Sequence, residues 1–368
     1  MRRVRIREYD VVFVGGGLSA LLLLNEMRKT MRGRVAIIDP DPLPERPLVH
    51  WSYWSRGRTV YDEFAIGAWW RARVGENPTE PIAPYTLRLV HATDVLAHLG
   101  SRLESAPIEW LHTLVRSVAH RADGKYAVGT DGGIVRANWV FDSACDVAPA
   151  FPSSRLPRAV QSGTGIRVTA DRPVFDPTTV TLFDPLDELS FAYVLPLGPV
   201  EALVESASFG PVALDRGPEP LLRYLRERYP GTDFRADHVE FGSIPLGFAP
   251  AGTAGPQHVL IGTKRGLVRP SAGYGVVRIA RETEYLARLW REDRPPAAGW
   301  RSAWRWRLLD MGFLKLAAHD PRRSLALLGN VMHALPLVQS LRFVDEELSP
   351  RQLASVLRAA LPAVFRKP

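Results

Sequence analysis

Near the start of the chain, Tyr9-Asp10-Val11-Val12-Phe13-Val14 runs into Gly15-Gly16-Gly17, and the glycines run into Leu18-Ser19-Ala20-Leu21-Leu22. An apolar β-forming run, a tight turn and a helix-forming run, spaced G-x-G-x-x-A, specify a strand–turn–helix unit. Each position has a physical task. Gly15 allows the turn, Gly17 lets the backbone approach a pyrophosphate, and Ala20 lets helix and strand pack closely. The unpaired N–H groups at the helix start then face the phosphates. After a helix-length segment, Arg34-Val35-Ala36-Ile37-Ile38-Asp39 is a buried-type strand ending in an acid. Asp39 lies 24 residues after Gly15, where a second strand presents a carboxylate to a ribose hydroxyl. A dinucleotide site is predicted; the motif by itself does not separate FAD from NAD.

Bulk properties narrow the remaining classes. A chain of 368 residues buries a large core and is expected to form two closely connected lobes. A hydrophobic content of 46% with 23% charged residues is that of an ordinary globular protein. The one cysteine, Cys145, excludes an intrachain disulfide framework and suits a reducing, cytoplasmic compartment. No apolar run is long enough to cross a membrane as a helix. The basic opening Met1-Arg2-Arg3 leads into the first strand rather than into a targeting peptide. Net charge is +8 but dispersed, with no helix-turn-helix, finger or RNA-binding motif, so nucleic acid is not an expected partner. The histidines are scattered without ligand spacing, and no metal site is expected. There is no Gly-x-Ser-x-Gly elbow of a hydrolase.

Along the chain, a proline-rich connection from Pro40 to Pro47 leads to the aromatic cluster His50-Trp51-Ser52-Tyr53-Trp54. A helix is expected over about Thr93–Ser105, with Val95, Leu96, Leu99 and Leu103 on one stripe. Strands follow at Glu109–Ala119, Lys125–Thr130 and Gly133–Asn138, then Trp139–Asp142, with Asp131-Gly132-Gly133 as a hairpin turn. From Gln161 to Phe209, repeated strand signals read as an antiparallel sheet of a second lobe. A helix over about Pro218–Arg228 comes next. His258–Gly262 is another short buried strand, followed by a glycine-rich loop to Gly275 and a helix over Val276–Arg291. The C-terminal third reads as helical. Within it Trp300, Trp304 and Trp306 alternate with Arg301, Arg305 and Arg307, a composition suited either to a bilayer interface or to a helix with buried tryptophans.

The late segment Ile261-Gly262-Thr263-Lys264-Arg265-Gly266 through Pro270-Ser271-Ala272-Gly273-Tyr274 resembles the I-G-T-x-x-G-x-x-x-P-S-T-G-Y pattern of the lycopene β-cyclase family. Phe175-Asp176-Pro177, Leu182-Phe183-Asp184, Phe191-Ala192-Tyr193-Val194-Leu195-Pro196-Leu197 and Leu203-Val204-Glu205 follow that family's middle motifs in order and spacing. His50-Trp51-Ser52-Tyr53 resembles its H-T-W-S-F cluster, and Phe141-Asp142-Ser143-Ala144 its I-D-A-R-G strand end. Three positions depart from the pattern. Glu205-Ser206-Ala207 lacks the family's threonine, Leu186 stands in place of an arginine, and Ala144 in place of another.

The resemblance implies an α/β, two-dinucleotide-fold flavoprotein. Its FAD domain would be assembled from residues 1–50, 93–150 and 256–290, its β-rich substrate lobe from 51–92 and 151–255, and a helical region from 291–368. It implies FAD, used reduced and primed by NAD(P)H, held by Gly15, Gly17, Ala20, Asp39, Gly262, Gly266, Pro270, Gly273 and Tyr274. The activity implied is ring closure at the end of a linear polyene, begun by protonating an alkene. Glu205, at the end of an apolar run, is the implied acid, and Asp184 its relay or partner. Trp51, Tyr53 and Trp54 would offer aromatic faces to a carbocation. The expected partners are an apolar polyene or prenylated substrate and a membrane surface. A shorter prenyl chain as substrate, or net-redox chemistry on a lipid, are the alternatives.

Overall fold

The computed structural model describes residues 6–144, 156–248, 253–296 and 303–365. Cys145, Trp300 and Arg301 therefore lie outside the described residues. The first strand, Ile6–Val14, sits at the centre of an eight-stranded sheet. It pairs in parallel with Val35–Ile38 on one side and with Gly133–Asp142 on the other. Beyond these, Ile108–Leu111 and His258–Leu260 extend the parallel part. Val11 to Val14 and Val35 to Ile38 are buried on both faces, as continuous apolar runs in a parallel sheet require. The helix Leu18–Met27 is apolar almost all round because it lies between this sheet and the helix Val276–Arg291. The chain order of the parallel strands switches direction at Ile6–Val14, and ligands of such sheets bind at the carboxyl ends beside that point.

A second, seven-stranded sheet runs in the order Phe234–Leu246, Ala159–Ala170, Glu201–Gly210, Ser190–Pro196, Thr179–Pro185, Arg71–Val74 and Glu80–Pro81. Its central strands alternate strictly. Ile166, Val168, Ala192, Val194 and Val204 pack against Leu221, Tyr224 and Leu225 of the helix Glu219–Arg228. The intervening residues face the other way, where Leu195 and Leu203 meet Leu87, Leu89 and Trp69 of a three-stranded sheet. That small sheet, built from His50–Ser55, Ala65–Trp69 and Thr86–His91, forms a lid over one face of the large one.

Several sequence-based boundaries shift. The helix expected to Ser105 spans Ala92–Ser101, and Glu109–Ala119 divides into Ile108–Leu111 and Val115–His120. Gly133–Asn138 and Trp139–Asp142 fuse into one strand, because Asp142 is carried in register to Val14. Four helices, Trp304–His319, Pro321–Ala334, Leu337–Val344 and Pro350–Phe365, make up the described C-terminal part. Phe313, Leu314 and Ala317 pack on Phe191, Ala207 and Phe209 at the far end of the large sheet. Trp306 is core, 1% exposed, whereas Trp304 is 73% exposed, so the tryptophan–arginine stretch divides between the two roles.

Candidate active site

One cavity of about 1450 Å³ runs from the glycine turn, between the two sheets, to Glu205. Gly15, with φ +88°, makes the turn after the first strand, and a Cβ there would come within 2.5 Å of Ser143 Oγ. Ser143 is locked in that place by donating its backbone N–H (2.8 Å) and its hydroxyl (2.9 Å) to the Val14 carbonyl. Gly17 caps the helix with no side chain bonded to its free N–H groups, and a Cβ on it would meet open space. Asp39 accepts from the Gly16 N–H at 2.6 Å and pairs with Arg46 at 3.0 Å, which fixes the carboxylate at the cavity wall. Arg46, absent from the expected site, also donates to the Gly16 carbonyl.

From the opposite side comes the late loop. Gly262 and Gly273 both have positive φ, +61° and +64°. Side chains at these positions would run into Ser19 of the first helix and the Gln161 amide, respectively. Gly266, φ +78°, ends the short helical turn Gly262–Arg265. Buried Arg269 and Ser271 both bond Asp310 of the C-terminal helices, at 3.4 and 2.7 Å. Tyr274 donates to the Trp54 carbonyl at 3.1 Å and stacks near its indole.

Two buried acceptors on this wall, Asp142 Oδ1 and Gln161 Oε1, have no hydrogen-bond partner among the described residues. The other Asp142 oxygen takes bonds from Lys264 (2.7 Å) and His258 (3.0 Å). A bare helix N-terminus, an acid at the second strand's end, glycines where a Cβ would intrude and two unsatisfied acceptors match a ligand carrying phosphates and many hydroxyls. These residues fit an FAD molecule.

At the far end, cross-strand register places Tyr193, Glu205, Gly165 and Glu240 in one row on the same face of the large sheet. Glu205 looks into the cavity beside the Tyr193 ring. Burial, and then the charge on Glu240, push its carboxyl up to about 8, so it carries a proton at neutral pH. Burial also raises the Tyr193 and Tyr274 phenols, which stay neutral. Glu240 accepts from the His50 backbone N–H at 3.1 Å and lies 3.0 Å from His50 Nδ1.

The structure thus brings together Gly15, Gly17, Asp39, Trp51, Trp54, Gly273, Tyr274 and Glu205 on one cavity. Ala20, Gly262, Gly266 and Pro270 support it from behind. Two expectations are corrected. Tyr53 is fully buried in the core, its hydroxyl 3.0 Å from Asp62 and 3.2 Å from Thr59, so it offers no face to a substrate. Asp184 pairs in register with Ala192, on the helix-covered face, and accepts from Tyr224 at 2.7 Å. It lies across the sheet from Glu205 and does not line the cavity.

Glu240, Arg46 and Gln161 are missing from the expected set. Glu240 has no local sequence signal, since it sits in an alternating strand that reads as solvent-facing. Only the pairing register places it near Glu205. His50, His238 and Glu240 likewise converge within 4.8 Å although their sequence spacing suggests nothing.

The fold is that of FAD-dependent flavoproteins. A geranylgeranyl bacteriochlorophyll reductase-like protein from Thermoplasma acidophilum superposes with a TM-score of 0.58 at 16% identity, over 96% of each chain. A flavoprotein/dehydrogenase from Cytophaga hutchinsonii gives 0.61 at 13% identity, again over 96% of each chain. The halogenase PltM, solved with phloroglucinol and FAD, gives 0.57 at 13% identity, over 96% of this chain and 85% of the halogenase. Within that class, the family described as lycopene cyclase protein matches residues 10–365, and the chain belongs to it. No curated protein sequence matches the chain.

Proposed function

We propose that this protein is a flavin-dependent cyclase that closes a ring at the end of a linear polyene without net redox change, with lycopene as the substrate. The observation that supports this reading is that Glu205 faces a cavity continuous with the dinucleotide site, where burial pushes its carboxyl up to about 8. Protonating an alkene needs a carboxyl that still carries its proton at working pH, a dry pocket and something to stabilise the cation. Glu205 holds the proton at its carboxyl; ring closure follows when a neighbouring double bond attacks the cation, and a proton is lost to leave the cyclohexene. Trp51 and Trp54 offer π-faces worth about 1–2 kcal/mol each to a desolvated cation. Gly15, Gly17, Asp39, Asp142, Gln161 and Gly273 would hold FAD. When bound and reduced by NAD(P)H, the flavin supplies negative charge beside the cation, stronger in a low-dielectric pocket than in water.

Among the described residues no helix is long and apolar enough to cross a membrane. A peripheral contact of a cytoplasmic protein is proposed instead, through Trp304 and Leu308, 73% and 52% exposed and one helical turn apart.

A shorter prenylated substrate is the second reading. It is favoured by Ala144 and Ala207, two of the departures from the family pattern, which both line the cavity. The test is expression of the FAD-loaded protein in lycopene-accumulating cells, followed by pigment analysis. Cyclised carotenoid is expected. Unchanged pigment, with turnover of prenylated aromatics by the same preparation, would replace lycopene with the shorter substrate. Stoichiometric NADPH consumption per product would overturn both.

A further inference from the structure

The convergence of His50, His238 and Glu240 belongs to no step of the chemistry above. His238 and Glu240 stand two positions apart on the edge strand Phe234–Leu246, so their side chains leave the same face of the sheet. His50 opens the first strand of the small lid sheet. Metal-ligating side chains thus meet from two sheets that share no strand pairing. Glu240 Oε2 is 3.0 Å from His50 Nδ1 and 3.5 Å from His238 Nε2. All three donor atoms lie within 4.8 Å of one another. Nitrogen and oxygen ligands sit about 2.0–2.2 Å from a tetrahedral zinc ion, which separates neighbouring donors by about 3.4 Å. The distances from Glu240 fall on either side of that value.

The surroundings hold this arrangement. The His50 backbone N–H donates to Glu240 Oε2 at 3.1 Å and fixes the carboxylate. A Cβ on Gly165 would lie 2.9 Å from Glu240 Cγ, so glycine is what lets the Glu240 side chain lie across the neighbouring strand. His50 Nε2 is buried with no partner among the described residues, and the ring does its bonding at Nδ1, toward Glu240. His238 Nε2 reaches the same space, 3.2 Å from the Leu48 carbonyl.

Charge points the same way. The Glu240 side chain is only 8% exposed, and that of His50 is wholly buried. Among the described residues Glu240 has no lysine or arginine in an ion pair, only the two histidines. Arg167, the register partner of His238, is paired with Glu201 instead. Buried carboxylates are met by a paired charge or by a metal, and imidazoles are neutral when they ligate.

We propose that His50 Nδ1, His238 Nε2 and the Glu240 carboxylate bind one divalent cation of the zinc type, which pins the lid sheet to the edge of the large sheet. Two imidazole nitrogens and one carboxylate oxygen suit zinc over magnesium or calcium, whose ligands are oxygens. His50 and Glu240 line the cavity whereas His238 does not, so the remaining coordination position opens inward, to water. The ion is a clasp on the cavity wall, and no substrate bond is made or broken at it.

The experiment takes the untagged, FAD-loaded full-length protein, strips it with EDTA, and titrates it with cobalt(II) and then zinc. One cobalt per chain should bind, with the ligand-field bands of a four-coordinate site, and zinc should displace it. His238→Ala, at a side chain 28% exposed, should fold and should weaken cobalt binding by at least about tenfold. Glu240→Gln should weaken it likewise, since an amide is a poor zinc ligand. Saturating zinc should raise the wild-type melting temperature and leave that of His238→Ala where it was. Absence of stoichiometric binding, or cobalt bands that survive both substitutions, would overturn the site and leave the three side chains a hydrogen-bonded group alone. A wild-type melting temperature that zinc does not move would overturn the clasp.

Discussion

The Gln161 side-chain amide occupies the space that a Cβ on Gly273 would need. One residue belongs to the large sheet and the other to the late loop, so their contact joins the two halves of the cavity. Gly273→Ala would add this clash to the cost of a left-handed conformation, about 1–2 kcal/mol for a residue with a side chain. The expected outcome is purified protein with little bound flavin, read from the flavin-to-protein absorbance ratio. Full flavin occupancy in the variant would remove Gly273 from the cofactor cradle.

Glu205→Gln keeps the shape of the side chain and removes the transferable proton. Turnover should fall by at least about a hundredfold, the usual scale of a lost general acid. FAD stoichiometry should stay at the wild-type value, since Glu205 lies at the far end of the cavity from the glycine turn. Substantial residual cyclisation would exclude Glu205 as the acid.

The same carboxyl sets a pH dependence. Its folded value of about 8 lies above the ordinary 4.5. Below 4.5 both folded and unfolded chains are protonated there. Between 4.5 and 8 the unfolded chain ionises while the folded one keeps its proton, so stability contributed at this site is lost as pH rises through that window. The cyclisation rate should decline above pH 8 for want of acid. Glu205→Gln should melt higher than wild type at pH 8, with the difference vanishing near pH 4. Thermal unfolding at the two pH values checks the sign directly.

Asp184→Asn separates a structural role from a chemical one. The carboxylate accepts from the buried Tyr224 hydroxyl and lies 3.8 Å from Arg228 Nε. Weakening this set should cost about 1–3 kcal/mol of stability. Turnover per folded molecule should be unaffected, as measured under saturating substrate after correction for folded fraction. A collapse in turnover at normal stability would return Asp184 to the reaction.

Replacing Trp304 and Leu308 together by serine removes the exposed apolar turn of the helix Trp304–His319. Co-sedimentation with anionic vesicles should drop, while the melting temperature holds because neither side chain is core. Equal sedimentation would place any membrane contact elsewhere.

The cofactor end of the site was legible in the sequence because its signals are local. Gly15 to Ala20 and Gly262 to Tyr274 are each a few residues long, and at Gly15, Gly262, Gly266 and Gly273 a positive φ favours glycine. Glu205 was legible only through motif order. The opposite end depends on strand register, which brings Glu240 to Glu205 across Gly165 and His91 to His50 across a separate sheet. A residue count along the chain carries no trace of such pairings. Asp184 misled for the same reason in reverse. The register shift between Thr181 and Asp184, with Phe183 at φ +51°, turns the acid away from the face that Glu205 occupies.

The bond from Arg269 and Ser271 to Asp310 has a consequence for how this protein can be divided. Removing one partner of a buried ion pair typically costs about 3–5 kcal/mol, and Arg269 also donates to the Val344 carbonyl at 2.9 Å. The late loop is therefore held in shape by helices that contribute no atom to the glycine turn. The nucleotide unit is not a portable cassette. A version trimmed of its last helices, or grafted onto another scaffold, should lose flavin first, well before its sheet comes apart.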